Sequence, residues 1–210
     1  MYTPKHFQME DPQRLTAFIQ QHSFGTLFSQ TDGELCATHL PFLLEQDRSG
    51  QWLLLGHMAK ANPHWTTIGS GGEVLVVFQG PHAYISPGWY EERAPAVPTW
   101  NYVAVHAHGE FSLIEEPERL RSILQQSIER YESKREQPWR TDLGNDFNRQ
   151  LMNAIVGFAI KINRMEGKWK LSQNHAAERR KRVIDGLRTR KDAHAHEIAD
   201  LMEQTLTGSE

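Results

Sequence analysis

The chain of 210 residues has a single cysteine, Cys36. One thiol cannot close an internal disulfide, which excludes the small disulfide-stapled scaffolds of secreted proteins. Cys36 stands in the strand-like Glu34-Leu35-Cys36-Ala37-Thr38, where a buried, inert thiol is expected. No run of about 18 apolar residues occurs, so no membrane-spanning helix is expected. The first residues lack the apolar core of a leader peptide, because Lys5, His6, Gln8, Glu10 and Asp11 interrupt it. These absences predict a cytoplasmic protein. Internal repeats and low-complexity tracts are also missing, which excludes solenoids and disordered tails. What remains, at 39% apolar and 23% charged residues, is the composition of a globular chain long enough for a good core.

The positive signals are short strands and tight turns. Asp11-Pro12 starts a helix whose stripe is Leu15, Phe18 and Ile19. Phe24 to Ser29 and Glu34 to Leu44 read as strands around Thr31-Asp32-Gly33, an Asp-Gly hairpin signal. Asp47-Arg48-Ser49-Gly50 turns into the strand Trp52 to Gly56. Val74 to Phe78 and Ala83 to Ile85 read as one strand bent at Gly80-Pro81, and Tyr102 to His106 continues past Gly109 into Glu110 to Ile114. After Glu116-Pro117 the period becomes helical through Leu120, Ile123, Leu124, Ile128 and Tyr131. A second helix is expected over Asp146 to Ile155, then a strand over Phe158 to Arg164, then two short C-terminal helices around Val183/Ile184/Leu187 and Ile198/Leu201/Met202. The fold class is α+β, mainly β: a small antiparallel barrel with flanking helices and a C-terminal helical segment.

Three segments carry residues suited to chemistry. In Leu53-Leu54-Leu55-Gly56-His57-Met58-Ala59-Lys60-Ala61-Asn62-Pro63 an apolar strand runs into a polar turn and an Asn-Pro helix start. Exposed backbone N–H groups and the Lys60 charge there suit an anion. The same residues also read as an ordinary loop with a solvated lysine. Thr38 and His39, on the preceding strand, converge with them if the two strands are neighbours in a sheet. The second segment, from Ala94 through Thr99-Trp100-Asn101-Tyr102 to Gly109, sets aromatic planes beside hydroxyl and amide groups, as a flat heteroaromatic ligand with polar edges requires. The third, Gly157 to Asn174, alternates cleanly and ends in Leu171-Ser172-Gln173-Asn174. His106 and His108 share one strand face, but no acidic or cysteine partner follows at ligand spacing, so no metal site is expected.

Together with the opening Met1-Tyr2-Thr3-Pro4-Lys5-His6-Phe7 and the segment Ala37-Thr38-His39-Leu40-Pro41-Phe42, these segments resemble the PaiB-type FMN-binding negative transcriptional regulators. The resemblance runs from residue 1 to about residue 205. It implies a homodimeric split β-barrel of the flavin-reductase and pyridoxamine-phosphate-oxidase type, with FMN held between subunits. It implies binding roles for Thr38, His39, His57, Met58, Ala59, Lys60 and Asn62 around the phosphate, with Leu40 and Pro41 flanking the ring system. It also implies that Thr99, Trp100 and Asn101 form an opposite wall, either within the chain or from the second subunit, and that Ser172, Gln173 and Asn174 reach the flavin edge. Residues 1–174 would form the FMN-binding split-barrel domain, and residues 175–210 a basic helical extension packed on it. Val97, Trp100, Tyr102 and Val105 offer apolar surface to a second copy.

Net charge of -3 conceals an asymmetry. Between His175 and Ala195 stand Arg179, Arg180, Lys181, Arg182, Arg188, Arg190 and Lys191, against Glu178, Asp185 and Asp192. The segment reads either as a DNA-phosphate contact or as a solvated helical face. No helix-turn-helix spacing accompanies it. The function expected is therefore an FMN-binding regulator. The alternative is a flavin-dependent oxidoreductase, since related split barrels include flavin reductases, pyridoxamine oxidases and haem-degrading proteins. No acid–base pair identifies a substrate, and whether haem binds beside or in place of FMN stays open.

Overall fold

Alternating apolar residues give the strands, and three- and four-residue recurrence gives the helices. The computed structural model describes residues 1–91 and 96–207. The expected loop residues Ala94 and Pro95 lie outside them. The chain begins with β1 (Gln8–Met9), α1 (Pro12–Gln21), β2 (Phe24–Thr31), β3 (Glu34–Pro41), β4 (Leu43–Gln46), β5 (Trp52–Ala59) and α2 (His64–Ile68). It continues with β6 (Glu73–Ile85), β7 (Thr99–Ile114), α3 (Pro117–Glu132), α4 (Asp146–Met152), β8 (Ile155–Lys170), α5 (Ala177–Arg188) and α6 (Ala193–Thr207).

Local chemistry explains the joints. The Asp11 carboxylate accepts from Gln13 N at 2.9 Å and starts α1. Asp32 and Gly33, at φ 52° and 84°, form a two-residue turn with both central residues left-handed, the turn that matches strand twist. It fixes the β2–β3 register, in which Thr31 faces Glu34 and Phe24 faces Pro41. At the next turn Asp47 accepts from Ser49 N, Ser49 Oγ and Gln51 N.

The sheet runs β3-β2-β6-β7-β8-β5-β4, with β1 added to β8. The long strands outrun their sequence signals. β6 is continuous across Gly80-Pro81, and β8 spans 16 residues. The helix α4 stops at Met152 because Ile155 already pairs with Ala59 in the sheet. The expected strand over Glu34 to Leu44 breaks at Phe42, where the chain leaves β2 and begins pairing with β5 through Leu43 and Leu55.

That break fixes the topology. β3 and β4 are the two ends of the ordered path, yet only Phe42 separates them in the chain. The sheet curls until its ends meet at one corner, and the path stays open: a split barrel. Phe42 N donates to Ser23 O at 2.8 Å. The buried Phe42 ring meets Phe78 edge-on at 5.6 Å and Phe158 at 6.1 Å, and Phe158 stacks on Phe111 at 5.1 Å.

The chain divides into two compact units. Unit one comprises Met1–Leu15, Gln79–Val105 and the chain from Glu166; unit two comprises Thr16–Phe78 and His106–Met165. The expected boundary between residues 174 and 175 falls within unit one. There α5 packs on α6, burying Val183, Ile184 and Leu187 with Ala195, Ile198, Ala199 and Met202. Unit two holds the Phe42 corner, and a side cluster of Leu43, Leu55 and Ile123 lies under α3. Cys36 is half-buried rather than buried, because β3 is an edge strand. Among the described residues no helix is long and apolar enough to cross a membrane.

Phe42→Ala removes the ring on which the corner closes and should cost about 3–5 kcal/mol. Urea unfolding measures it, and an unchanged midpoint would show that the corner is held by other contacts.

Candidate functional site

Successive strand residues face opposite sides, and this separates two residues expected to act together. On β3, Thr38 and Leu40 face one side, and Leu40 is buried there. His39 faces the other, where its Nδ1 pairs with Thr26 Oγ1 at 2.9 Å and its ring lies 6.5 Å from Phe24. Thr38 instead points at the start of α2.

There a residue that carried no expected role takes the centre. His64 is fully buried. Its Nδ1 meets Thr38 Oγ1 at 2.7 Å, and its Nε2 meets Ser29 Oγ at 2.9 Å. The Asn62 side chain donates to Thr38 Oγ1 at 3.2 Å and accepts from His64 N at 3.0 Å. Thr38 and Asn62 thus satisfy each other and the imidazole, pinning α2 to β2 and β3. The helix is a single turn of five residues with Pro63 at its cap position. The backbone amides expected to greet an anion have internal acceptors: Lys60 N bonds Ala154 O, and Asn62 N bonds Ala59 O. β3 and β5 are not hydrogen-bonded neighbours, because β3 pairs with β2 and β5 with β4 and β8.

Lys60 keeps an exposed side chain. It lines a pocket of unit two, about 430 Å³, with Arg149 and Asn153 at the rim and Leu113, Leu120 and Val156 on the apolar side. Two residues earlier in the chain, Met58 is a core residue and offers a ligand only its backbone. His57 is half-buried, and burial pushes its pKa down.

In unit one, four expected residues do share a cavity. Thr99, Asn101, Ser172 and Asn174 line a pocket of about 300 Å³. Asn101 is buried, and its Nδ2 donates to Ser172 Oγ at 3.0 Å and to Met202 Sδ at 3.4 Å. Ser172 sits at φ 64°, a left-handed conformation that costs energy for a residue with a side chain. Its carbonyl closes the turn by accepting from His175 N at 3.0 Å. Two expected neighbours do otherwise. Trp100 is 52% exposed, with its ring near Tyr84 and His82. Both ends of the Gln173 amide are bonded to backbone at Leu171 and Trp169.

The same pocket is lined by Lys170, His175, Arg179 and Tyr90, which were not expected there. Lys170 donates to Thr99 Oγ1 at 2.5 Å and Trp100 O at 2.6 Å. Burial, with Lys168 nearby, holds its pKa below the lysine range. Lys168 itself is buried between the rings of Tyr2 and Tyr102, 5.7 and 5.2 Å from their centres. The Lys170 signal was present in the sequence: strand alternation puts residues 168 and 170 on one side at the end of β8. Arg179 carried no such mark.

Four of the seven cations in the basic segment have partners within the chain. Arg179 pairs with Glu91 at 3.0 Å, Arg180 bonds Thr205 Oγ1, Arg188 pairs with Asp200 and Glu203, and Arg190 pairs with Asp192. Lys181, Arg182 and Lys191 are exposed. Of the residues expected to meet a second copy, Val97 is 74% exposed and Trp100 is open, but Val105 is fully buried. Val105 faces the interior because alternation along β7 puts it with Val103 and Ala107.

Comparison with known proteins adds the following. A family model described as "Putative FMN-binding domain" matches residues 1–164. "Protease synthase and sporulation protein PAI 2" of Bacillus subtilis is 39% identical over 207 residues, covering 98% of this chain and 98% of that protein. The solved structure of the FAD and heme binding protein from Mycobacterium smegmatis superposes with a TM-score of 0.60 at 17% identity, over 82% of this chain and 78% of that one. A flavocytochrome from Azotobacter vinelandii gives 0.61 at 12% identity, over 80% and 72%. The two structures share the fold.

Burial pushes the pKa values of His57, His64 and His175 below the ordinary 6.5. Below about pH 6.5 the unfolded chain takes up protons that the folded chain refuses, so stability is complete above that pH and declines as pH falls. Unfolding followed from pH 7.5 to about pH 5 should show this decline, and His64→Gln should make it shallower. A stability independent of pH over that window contradicts neutral buried imidazoles.

Proposed function

This chain belongs to the PaiB-type FMN-binding family, and from that premise we propose that it is an FMN-binding negative regulator that works as a homodimer. FMN is the cofactor of the family, and the residues present fit it. The observation that carries the reading is the pocket of unit one. It unites Thr99 and Asn101 with Ser172 and Asn174, although Asn101 and Ser172 are 71 positions apart in the chain. Hydroxyl and amide groups held on rigid backbone suit the polar edges of a flavin. In unit two, Lys60 shares a pocket with Arg149 and Asn153 and is a cation suited to the phosphate of an FMN held between two subunits; His39, Pro41 and the backbone at Met58 and Ala59 belong to the same unit. Thr38 and Asn62 act one step back, by fixing α2 through His64. Bound FMN supplies electron transfer at its ring system.

The exposed Val97 and Trp100 support a second copy of the chain as partner. Contact with DNA through the segment from Arg179 to Lys191 is the weaker part of the reading, because Arg179, Arg188 and Arg190 are in ion pairs and Arg180 is buried. Lys181, Arg182 and Lys191 are the residues left for it.

Lys60→Ala should lower FMN affinity by about 1.5–3 kcal/mol, or roughly 10- to 150-fold. Flavin fluorescence quenching measures this, and equal affinities would remove Lys60 from the site. Light scattering should return twice the chain mass of 24.2 kDa. A mass equal to one chain at micromolar concentration would refute the homodimer.

A further inference from the structure

The pocket of unit one contains a feature that the polar edges of a flavin do not require. Lys170 reaches into it and bonds only neutral oxygens, at Thr99 and Trp100. Among the described residues no carboxylate pairs with it. An ammonium has three donors, so one remains for a ligand. Its depressed pKa has the corresponding cause: desolvation and a second lysine, with no compensating anion.

Arg179 lines the same pocket. Its guanidinium lies 4.8 Å from the centre of the Tyr90 ring and is held by Glu91, which is not part of the lining. His175, whose pKa is pushed down by burial and by Arg179, adds an imidazole whose ring lies 5.8 Å from that of Tyr90. The remaining wall is mixed: Phe7, Ala96 and Val97 are apolar, and Thr99, Asn101, Ser172 and Asn174 are the polar groups described above. A volume of about 300 Å³ is at the lower limit for ligand pockets and suits a body of one ring. The left-handed Ser172 is strain of the kind that persists where a site fixes its backbone.

We propose that the Lys170, Arg179 and Phe7 side of this pocket binds a small organic monoanion with a flat apolar body, such as an aromatic carboxylate, with the flavin reaching the pocket only by an edge, at Thr99, Asn101, Ser172 and Asn174. The carboxylate sits on Lys170 and Arg179, and the ring lies against Phe7 and Val97. The proposal rests on the FMN reading only in that both ligands are present together.

Calorimetric titration of the FMN-loaded protein with benzoate, neutral benzamide and inorganic phosphate tests it, with flavin absorbance read throughout. Benzoate should bind about tenfold or more tightly than benzamide or phosphate, and Lys170→Met should abolish that preference while Lys170→Arg retains it. Equal binding of benzoate and benzamide, a preference for phosphate, or an unchanged preference in K170M overturns the proposal. If K170M does not fold, the preference shown by the parent protein and by K170R decides alone. Release of flavin by benzoate also overturns it and gives the pocket to the flavin itself. Failure of the parent protein to hold FMN is a separate result, against the flavin reading and not against the anion site.

Discussion

The turn at Phe42 is the constraint on which the rest of unit two depends. Consecutive Cα atoms are about 3.8 Å apart, so one intervening residue cannot separate two strand ends by more than about twice that. The two ends of the sheet path are thereby tied together, and curling follows from chain connectivity before any side chain is considered. The phenylalanines then decide how tightly it curls. A Cβ at Gly56 would lie 2.6 Å from the Phe158 ring, and one at Gly25 would lie 2.9 Å from Phe78. The strands close on their aromatic filling only where they carry no side chain.

What was legible in the sequence was local. The Asp32-Gly33 hairpin, the Asp11 cap and the amphipathic helix after Pro117 each follow from a few adjacent residues, and the structure has all three. Sheet order was not legible. It is decided by which distant strands meet: the expected strand Glu34 to Leu44 is followed by Trp52 to Gly56 in the chain, yet β3 and β5 do not pair. Strand ends were equally hidden, because β8 gains residues from its neighbours rather than from its own pattern.

The candidate site divides along the same line. Thr38 and Asn62 were expected as groups for a ligand phosphate near a helix start, and in the fold their nearest partner is His64. A buried imidazole between two hydroxyls has both nitrogens satisfied and leaves those groups little for a ligand. Residue types marked Thr99 and Asn101, family resemblance gave Ser172 and Asn174 a role, and the four share a pocket. Arg179 shows the opposite error. As one cation in a run it suggested an electrostatic surface, yet folding gives it a carboxylate and an aromatic ring of its own. Charge in a sequence states capacity; only packing states to whom it is directed.

The C-terminal helices contain one more instance of bare backbone, with a practical consequence. At Gly186, in the last turn of α5, an added methyl carbon would lie 2.4 Å from the indole of Trp89. Glycine within a helix is ordinarily the first target of a thermostabilising redesign, since alanine there gains about 1 kcal/mol of intrinsic helix preference. Applied at this position, that recipe would strengthen α5 as an isolated helix while driving it off its seat. Helix strength and helix docking are opposed at Gly186, and any engineering of this chain has to treat α5 as a fitted part, not a free one.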